Sequence, residues 1–332
     1  MPLVKTRRGR RRVSIDMNVL GIETSCDETS AAVVKNGKTV LSNIVLSSLR
    51  DHQKFGGIIP EIASRRQIEL INTVVKQSLS VAKCKLSSID ALAVTTHPGL
   101  IGSLLVGISF SRGLSHVLQK ILVEVNHIKA HIYANFLDQP QPPRLPAIGL
   151  VVSGGHTALY YLKNHLDYKI IGQTQDDAAG EAFDKVALIL GLGYPGGPAI
   201  DRIAKSGQNQ KIKFPVAELK NSFNFSFSGI KTSVLYYTRQ CPPKDLNKAK
   251  VAFSFQKSVV DILIKKSLAA CQSYKVKTLL IGGGVAANSE LRAELLKQAA
   301  AQGITVYFPA LPLCLDNAAM IAGYAYQLIK KK

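Results

Sequence analysis

Apolar and polar positions along the chain follow two registers, one of strands and one of helices. Residues 18–23, "NVLGIE", and 30–46, "SAAVVKNGKTVLSNIVL", read as a strand and then a hairpin turning at Asn36-Gly37. That dipeptide tolerates the left-handed backbone that a tight hairpin requires. Residues 61–82, "EIASRRQIELINTVVKQSLSVA", change to helical periodicity. "ALAVTT" then predicts a buried strand, "HPG" a turn, and "LIGSLLVGISFSRGL" a helix running on to Lys120. "NHIKAHIYANFL" predicts a further helix, and "DQPQPPRLP", with Pro140, Pro142, Pro143 and Pro146, breaks both helix and sheet and reads as a linker.

After that linker the pattern restarts. "AIGLVVSGG" is a buried strand entering a glycine turn, with "TALYYL" as its hairpin partner. "EAFDKVALILGL" is helical. "KTLLIGGGVAANSELRAELLKQAAAQG" reads as strand, glycine loop and helix, "ITVYFPA" as a strand, and "DNAAMIAGYAYQLIKK" as a closing helix capped by Asp316 or Asn317. Both halves therefore open with an apolar strand, a small-residue turn and a second strand, although their sequences barely match. The pattern predicts two α/β lobes with a cleft between them, the usual place for a ligand. The expected division is a basic, disordered extension over residues 1–16, a first lobe over 17–139 that also receives the closing helix, and a second lobe over 147–332.

Composition refines this picture. The 332 residues are 46% hydrophobic, enough for a substantial core. Residues 91–111 lack Asp, Glu, Lys and Arg over the length of a membrane span. "TTHPGLIG" interrupts them, so a soluble protein is expected. Cys26, Cys84, Cys241, Cys271 and Cys314 are scattered with no CxxC pair, which predicts a reducing compartment, the cytoplasm, without disulfides. The formal net charge is +20. Residues 1–16 carry Lys5, Arg7, Arg8, Arg10, Arg11 and Arg12 against Asp16, a net +5, leaving +15 on the remainder. So basic a body suits a polyanionic partner such as nucleic acid, and equally a basic proteome with solvated lysines. For the head, three readings stand: an extension upstream of a start at Met17, a nucleic-acid arm, or a transit peptide to a mitochondrion or plastid.

Three kinds of motif carry possible chemistry. His127 and His131 are four apart and share a helical face, a spacing that suits zinc or iron(II). Ile128 follows the first histidine, so the HExxH general base of a zinc protease is missing. A third ligand has to come from elsewhere, and Asp316 in "LDNAAM" is a candidate; two satisfied structural histidines are the alternative. "GIETSCDETS" (21–30), "VVSGGHT" (151–157) and "IGGGVAAN" (281–288) are small-residue turns at strand ends, able to bring backbone N–H groups to phosphate oxygens. Each by itself is also a plain turn. Residues 176–201, "DDAAGEAFDKVALILGLGYPGGPAID", gather Asp176, Asp177, Glu181, Asp184 and Asp201 beside "YPGGP". They suit ribose hydroxyls or an amine, or else helix capping and a solvated acidic face.

"GIETSCDETS", "PEIASR", "PGLIGSLLVG", "NHIKAH", "VVSGGHT", "DDAAGEAFDKVALILGLGYPGGPAIDR", "FSFSGIKT", "IGGGVAAN" and "DNAAMIA" occur in one order over residues 17–328. In that order they resemble the TsaD-type tRNA N6-adenosine threonylcarbamoyltransferase family, earlier described as O-sialoglycoprotein endopeptidases. The resemblance implies an actin-like, Hsp70-like (ASKHA) fold of two related lobes around a nucleotide cleft. It implies an acyltransferase that moves the threonylcarbamoyl group of threonylcarbamoyl-AMP to N6 of the adenosine 3′-adjacent to the anticodon, in tRNAs reading codons that begin with A. It implies one divalent metal, iron(II) or alternatively zinc, on His127, His131 and Asp316. Val151, Val152, Ser153, Gly154 and Gly155, with Asp184, Gly197, Asp201 and Asn288, would hold the adenylate, and no residue would act as a covalent nucleophile. Partners implied are tRNA and either bacterial subunits (TsaB, TsaE) or a second copy in an organelle. The chain departs from the pattern at Gln67, where His is common, at His97, where a small residue is usual, and at Leu315, where Thr is usual. Three other readings compete: a metalloprotease, which needs a Glu beside the histidines; a non-catalytic relative, which would lose the histidines and "SGGHT"; and an actin-fold ATPase or sugar kinase.

Overall fold

A computed structural model describes residues 16–207, 212–217, 219 and 222–331. All but the last residue of the basic head lies outside these residues. Asp16 pairs with Lys35 at 2.7 Å, and the Met17 amide donates to Asn36 Oδ1 at 2.8 Å, which ties these two residues to the hairpin.

The first lobe opens with an antiparallel meander, β1 (Asn18–Glu23), β2 (Glu28–Lys35) and β3 (Thr39–Ser47). Asn36 and Gly37 have φ of 55° and 67°, the left-handed turn expected of this dipeptide. Then follow α1 (Leu49–Gln53), α2 (Pro60–Val81), β4 (Ala91–His97), α3 (Ile101–Leu118) and β5 (Ile121–Asn126). The sheet order is β3-β2-β1-β4-β5, with β1, β4 and β5 parallel. After α4 (His127–Tyr133), the second lobe repeats the plan. It has β6 (Ala147–Val152), β7 (Thr157–Leu162) and β8 (Tyr168–Gln173), then α5 (Ala179–Ile189), α6 (Gly196–Ala204), α7 (Ser228–Gln240) and α8 (Lys248–Ser273). β9 (Thr278–Gly282), α9 (Ser289–Ala300), β10 (Thr305–Tyr307) and α10 (Ala318–Lys331) close the chain. The second sheet runs β8-β7-β6-β9-β10, again with the first pair antiparallel and β6, β9 and β10 parallel. The two halves thus share one topology, strand for strand, where their sequences showed only a shared opening.

Two strands, β5 and β8, had no counterpart in the hydrophobic pattern. Both lie at sheet edges and are only partly buried, so neither shows the wholly buried run of a central strand. The helix expected over 126–137 is shorter: α4 ends at Tyr133 and a single tighter turn, Ala134–Phe136, follows. α3 is long and apolar enough to cross a membrane by length and composition, and only 17% of it is buried. It packs on β1 and β4, where Thr24 Oγ1 donates to the Ser103 carbonyl at 2.9 Å.

Three cores hold these layers. Leu20, Ile22, Val33, Leu92 and Val94 bury one face of the first sheet under Ile71 and Val74 of α2. Phe183, Phe255, Leu263 and Ile281 lie in the core of the second lobe. A third cluster joins the lobes: Val19, Ala32 and Ala93 of the first sheet meet α10 and α4, and Val151 and Leu280 of the second sheet complete it. The last helix of the chain therefore packs on the first strands. Gly21 permits this approach, because a Cβ there would stand 2.4 Å from the Ala318 carbonyl oxygen and 2.9 Å from Ala322 Cβ.

Gly21→Ala is therefore expected to force α10 away from β1 and to cost about 1–3 kcal/mol, the usual range for overpacking. The measurement is the midpoint of urea unfolding; an unchanged midpoint would show that α10 does not press on β1 as described.

Candidate metal centre and the adjoining cleft

The centre is built on α4, at the seam between the sheets. Asn126 caps this short helix, its Oδ1 accepting from the Lys129 amide at 2.9 Å. The cap starts the helix at His127, so His131 lies one turn later on the same face. Both are buried, at 6% and 0% exposure. On the opposite side the chain reaches Asp316 just before α10. Of the two candidate caps for α10, Asn317 takes the role, its Oδ1 accepting from the Met320 amide at 3.1 Å. Asp316 is left free to turn inward.

The three side chains converge. His127 Nε2 and His131 Nε2 are 3.1 Å apart, and Asp316 Oδ1 is 3.4 Å from the first and 3.1 Å from the second. Ligand bonds of about 2.1 Å around one ion put neighbouring donors roughly 3.0–3.4 Å apart in octahedral or tetrahedral arrangements, so the spacing fits a single cation. Charge supports the same conclusion. Glu23, Asp27 and Glu28 stand around Asp316, and His127 and His131 face the Asp316 carboxylate. Burial, together with the carboxylates of Asp316, Asp27 and Glu23, holds the Glu28 carboxyl well above its ordinary range. Burial works against a proton on His127, but the Asp316 and Glu23 carboxylates outweigh it and raise its pKa well above the ordinary value. Burial and the charge on His127 lower His131. Asp316 is pushed far down: burial opposes this, and the charge and hydrogen bonds of His127 and His131 overcome it.

The other predicted residues lie on the second lobe, at the ends of its strands and helices. Val151 and Val152 are buried at the end of β6, and the loop that follows turns on the Ser153 amide, which donates to the His156 carbonyl at 2.8 Å. A Cβ added at Gly154 or Gly155 would meet nothing within 4 Å, so this loop faces open space. The Ser153 carbonyl accepts from the Gly180 amide at 3.1 Å, which ties the loop to the first turn of α5. Asp184 accepts from the Gly196 amide at 2.7 Å and so fixes the "YPGGP" turn, while Gly197 faces open space. Asp201 accepts from Ser289 Oγ at 2.8 Å and from Asn288 Nδ2 at 3.4 Å. Asn288 caps α9 and also donates to Gln256 Oε1 at 2.8 Å. A cavity of about 460 Å³ opens beside this group, lined by Ala204, Lys205, Phe253, Gln256, Ser289, Glu290 and Ala293.

Asp176 and Asp177, candidates for ribose or an amine, are engaged elsewhere. Asp176 accepts from Ser226 Oγ, Ser228 Oγ and the Phe227 amide at the start of α7. Asp177 pairs with Lys185 at 2.8 Å and Lys231 at 3.2 Å. Glu181 pairs with Lys185 at 2.7 Å. Asp176 and Asp177 thus tie the start of α5 to α7, while the Glu181–Lys185 pair lies within α5.

The sequence reading missed several members of the site. Glu23 and Ser25 stand behind His127, 3.1 and 3.2 Å from its Nδ1. His156 lies near enough for burial and both ligand histidines to lower its pKa. "GIETS" and "SGGHT" were legible as turns, but nothing local in them shows that Glu23 and His156 turn toward residues 127–131. Of the departures, Gln67 is buried, and its Nε2 donates to the carbonyls of Cys26 at 2.9 Å and Glu28 at 3.0 Å. His97 is exposed and meets Thr96 Oγ1 at 2.9 Å. Leu315 lies 55% exposed, with Cδ2 3.4 Å from where a Cβ on Gly284 would stand.

A family model described as TsaD, tRNA N6-adenosine threonylcarbamoyltransferase, matches residues 39–323. A protein of that name from Clostridium botulinum is 52% identical over 313 residues, 93% of this chain and 92% of the relative. One from Clostridium perfringens is 51% identical over 316 residues, 94% and 93% of the two chains. Among solved structures, the Acidaminococcus fermentans (R)-2-hydroxyglutaryl-CoA dehydratase component A superposes with a TM-score of 0.55 at 15% identity, covering 95% of this chain and 99% of that one. HypF superposes at 0.62 and 14%, covering 95% of this chain and 46% of its own. These last two likenesses show the fold, the ASKHA architecture of paired lobes.

A proton-linked centre follows from the raised His127. At neutral pH the metal-free imidazole keeps its proton, and a cation must displace it, so binding releases about one proton. Zinc affinity is expected to fall about tenfold per pH unit as pH drops below the His127 pKa. Chelator competition between pH 6 and 8 measures the slope; a flat profile would place the ion elsewhere.

Proposed function

We propose, from the premise that the chain belongs to the tRNA N6-adenosine threonylcarbamoyltransferase family, that the transfer takes place in the interlobe cleft, with a divalent ion held by His127, His131 and Asp316. The observation that carries this reading is the convergence of those three donor atoms within 4.8 Å of one another at the seam, beside the open loop at Gly154 and Gly155. The catalytic activity itself is that of the family.

The donor, threonylcarbamoyl-AMP, is a mixed carbamic–phosphoric anhydride and is already activated. N6 of the adenosine attacks the carbamoyl carbon, the bond to the phosphate oxygen breaks, AMP leaves with the electron pair, and N6 gives up one proton. No side chain has to form a covalent bond. A bound divalent ion, iron(II) or zinc, would supply Lewis-acid stabilisation of the developing negative charge. The chain's own residues do the positioning. Val151, Val152 and Ser153 form the strand end and the turn, and the amides of Gly154 and Gly155, which face open space, offer donors for the phosphate. Asp184 holds the turn that presents Gly197, and Asp201 with Asn288 addresses the ribose. The base enters the cavity between Phe253 and Ala293.

tRNA is the acceptor, and the net charge of +20 suits it. Neutralised phosphates give affinity that falls with salt, while the loop adenosine is splayed enough to expose N6. The two lobes, 17–139 and 147–332, act as the jaws, with α10 returned to the first. The protein partner is a bacterial-type subunit of the TsaB kind, with TsaE joining it, or a second copy if the enzyme is organellar. Ile101 (79% exposed) and Leu105 (57%) lie one turn apart on α3. Ile68 (63%) lies one turn from Ser64, where α2 meets Gly102 of α3. An apolar face of this kind suits a helical partner. The compartment is the cytoplasm. A peptidase reading gains no support, because Ile128 stands where its general base is required.

The test is to incubate protein starting at Met17 with unmodified tRNA, threonylcarbamoyl-AMP and metal, alone and with the bacterial subunits, and to detect N6-threonylcarbamoyladenosine by mass spectrometry. Product is expected with the subunits, and His127→Ala is expected to reduce its rate at least about a hundredfold. Full activity in that variant would refute the metal centre. Leu105→Lys is expected to abolish co-elution with the partner while zinc binding stays intact; retained co-elution would move the interface away from α3.

A further inference from the structure

Glu23 ends β1 with its side chain wholly buried. A buried carboxylate is costly unless its oxygens are satisfied and its charge is matched. The oxygens are satisfied: Oε1 accepts from the Ser25 amide and Oε2 from Thr95 Oγ1. Oε2 also faces His127 Nδ1 at 3.1 Å. No lysine or arginine pairs with it among the described residues. The match for its charge has to come through His127.

We propose that Glu23 is a positioning residue for the metal centre, fixing the His127 tautomer by accepting its Nδ1–H and leaving the Nε2 lone pair to the ion. The inference rests on the metal reading above and adds to it a residue outside the ligand set. The carboxylate can only accept, so the nitrogen facing it must carry hydrogen. Ser25 Oγ, 3.2 Å from the same nitrogen, can turn to accept as well. Nε2 then points, unprotonated, toward His131 and Asp316. His131 has no comparable tether, since its buried Nδ1 finds no hydrogen-bond partner among the described residues. His127 is thus the ligand whose orientation is imposed from behind.

Charge completes the argument. A divalent ion on two neutral imidazoles and one carboxylate keeps one net positive charge. Glu23, behind the ring of His127, cancels it. Outer carboxylates of this kind raise the basicity of a ligating imidazole, and their loss typically weakens metal binding about 10–100-fold.

Glu23→Gln has the same shape and reverses the effect. An amide N–H facing Nδ1 moves the imidazole hydrogen to Nε2, into the position the ion needs. Zinc affinity is measured at pH 8 by chelator competition for the wild type, Glu23→Gln and His127→Ala, with circular dichroism on each. The expected result is a loss of about 10–100-fold in Glu23→Gln with the fold unchanged. Nitrogen-15 spectra of the zinc-loaded wild type give a second readout that needs no variant to fold. His127 is expected to show a protonated Nδ1 and a metal-bound Nε2. Wild-type affinity in Glu23→Gln, or a His127 whose Nδ1 holds the zinc, overturns the role of Glu23 while His127→Ala still loses binding. If the wild type binds no zinc, or His127→Ala binds as tightly as the wild type, the metal reading falls and this inference falls with it.

Discussion

The meeting of Asp316 with His127 and His131 is the constraint on which the rest depends. Asp316 and His131 are 185 residues apart in the chain and stand 3.1 Å apart in space. That requires the segment before α10 to be pinned from both lobes. From the second lobe, Arg292 donates to the carbonyls of Ala286 and Pro309 at 2.7 and 3.0 Å, and lies over the Phe308 ring at 4.6 Å. It also donates to Cys314 Sγ at 3.2 Å, two residues from Asp316. From the first lobe, Ser30 Oγ accepts from the Ala318 amide at 2.9 Å, and α10 buries Ala318, Met320, Ile321 and Ala322 against the sheet. The carboxylate is held between two bodies, so the centre also fastens one lobe to the other.

Much of this was legible in the chain, and the limits have physical causes. The central strands and the helices α2, α3, α5, α9 and α10 show because burial imposes its period on their residues, as in the wholly buried runs Val19–Ile22 and Leu279–Ile281; α1, α6, α7 and the 26-residue α8 were not read from the sequence. β5 and β8 escaped because edge strands face water and carry no such run. The His127/His131 pair showed because helical spacing is local. Asp316 entered a residue-level reading only as a candidate third ligand, beside the reading of two structural histidines, and the resemblance to the family favoured it. Asn317 rather than Asp316 capping α10 is a tertiary outcome, because both side chains suit a cap and only the histidines decide between them.

Glu23, His156 and Gln67 were beyond any local rule. Each sits in or beside a turn that has an adequate reading of its own, and each acts through a residue far away in sequence. Gln67 shows how a departure from the family pattern can be absorbed. Its amide nitrogen ties down the carbonyls of Cys26 and Glu28, so the β1–β2 turn that carries Ser25 and Asp27 stays anchored to α2. An imidazole N–H in the same place could serve one such carbonyl, whereas the amide has two hydrogens. His97 and Leu315 are exposed, and neither disturbs the three converging donor atoms.

The character of the site follows from the donor it has to use. An activated anhydride needs no nucleophile, and the three thiols of Cys26, Cys271 and Cys314 are not prepared as one: burial raises them, with Asp316 adding to the effect at Cys26. Such thiols are poor nucleophiles. Catalysis of this kind turns on holding the reacting atoms in place and on meeting charge as it develops. Rigid supports are therefore more useful than reactive side chains. The loop after β6 is tethered to α5, the "YPGGP" turn to Asp184, and α9 to Asp201. His127 receives the same treatment from Glu23. A centre assembled this way loses function through misplacement before it loses any reactive group, so the residues behind the ligands matter as much as the ligands themselves.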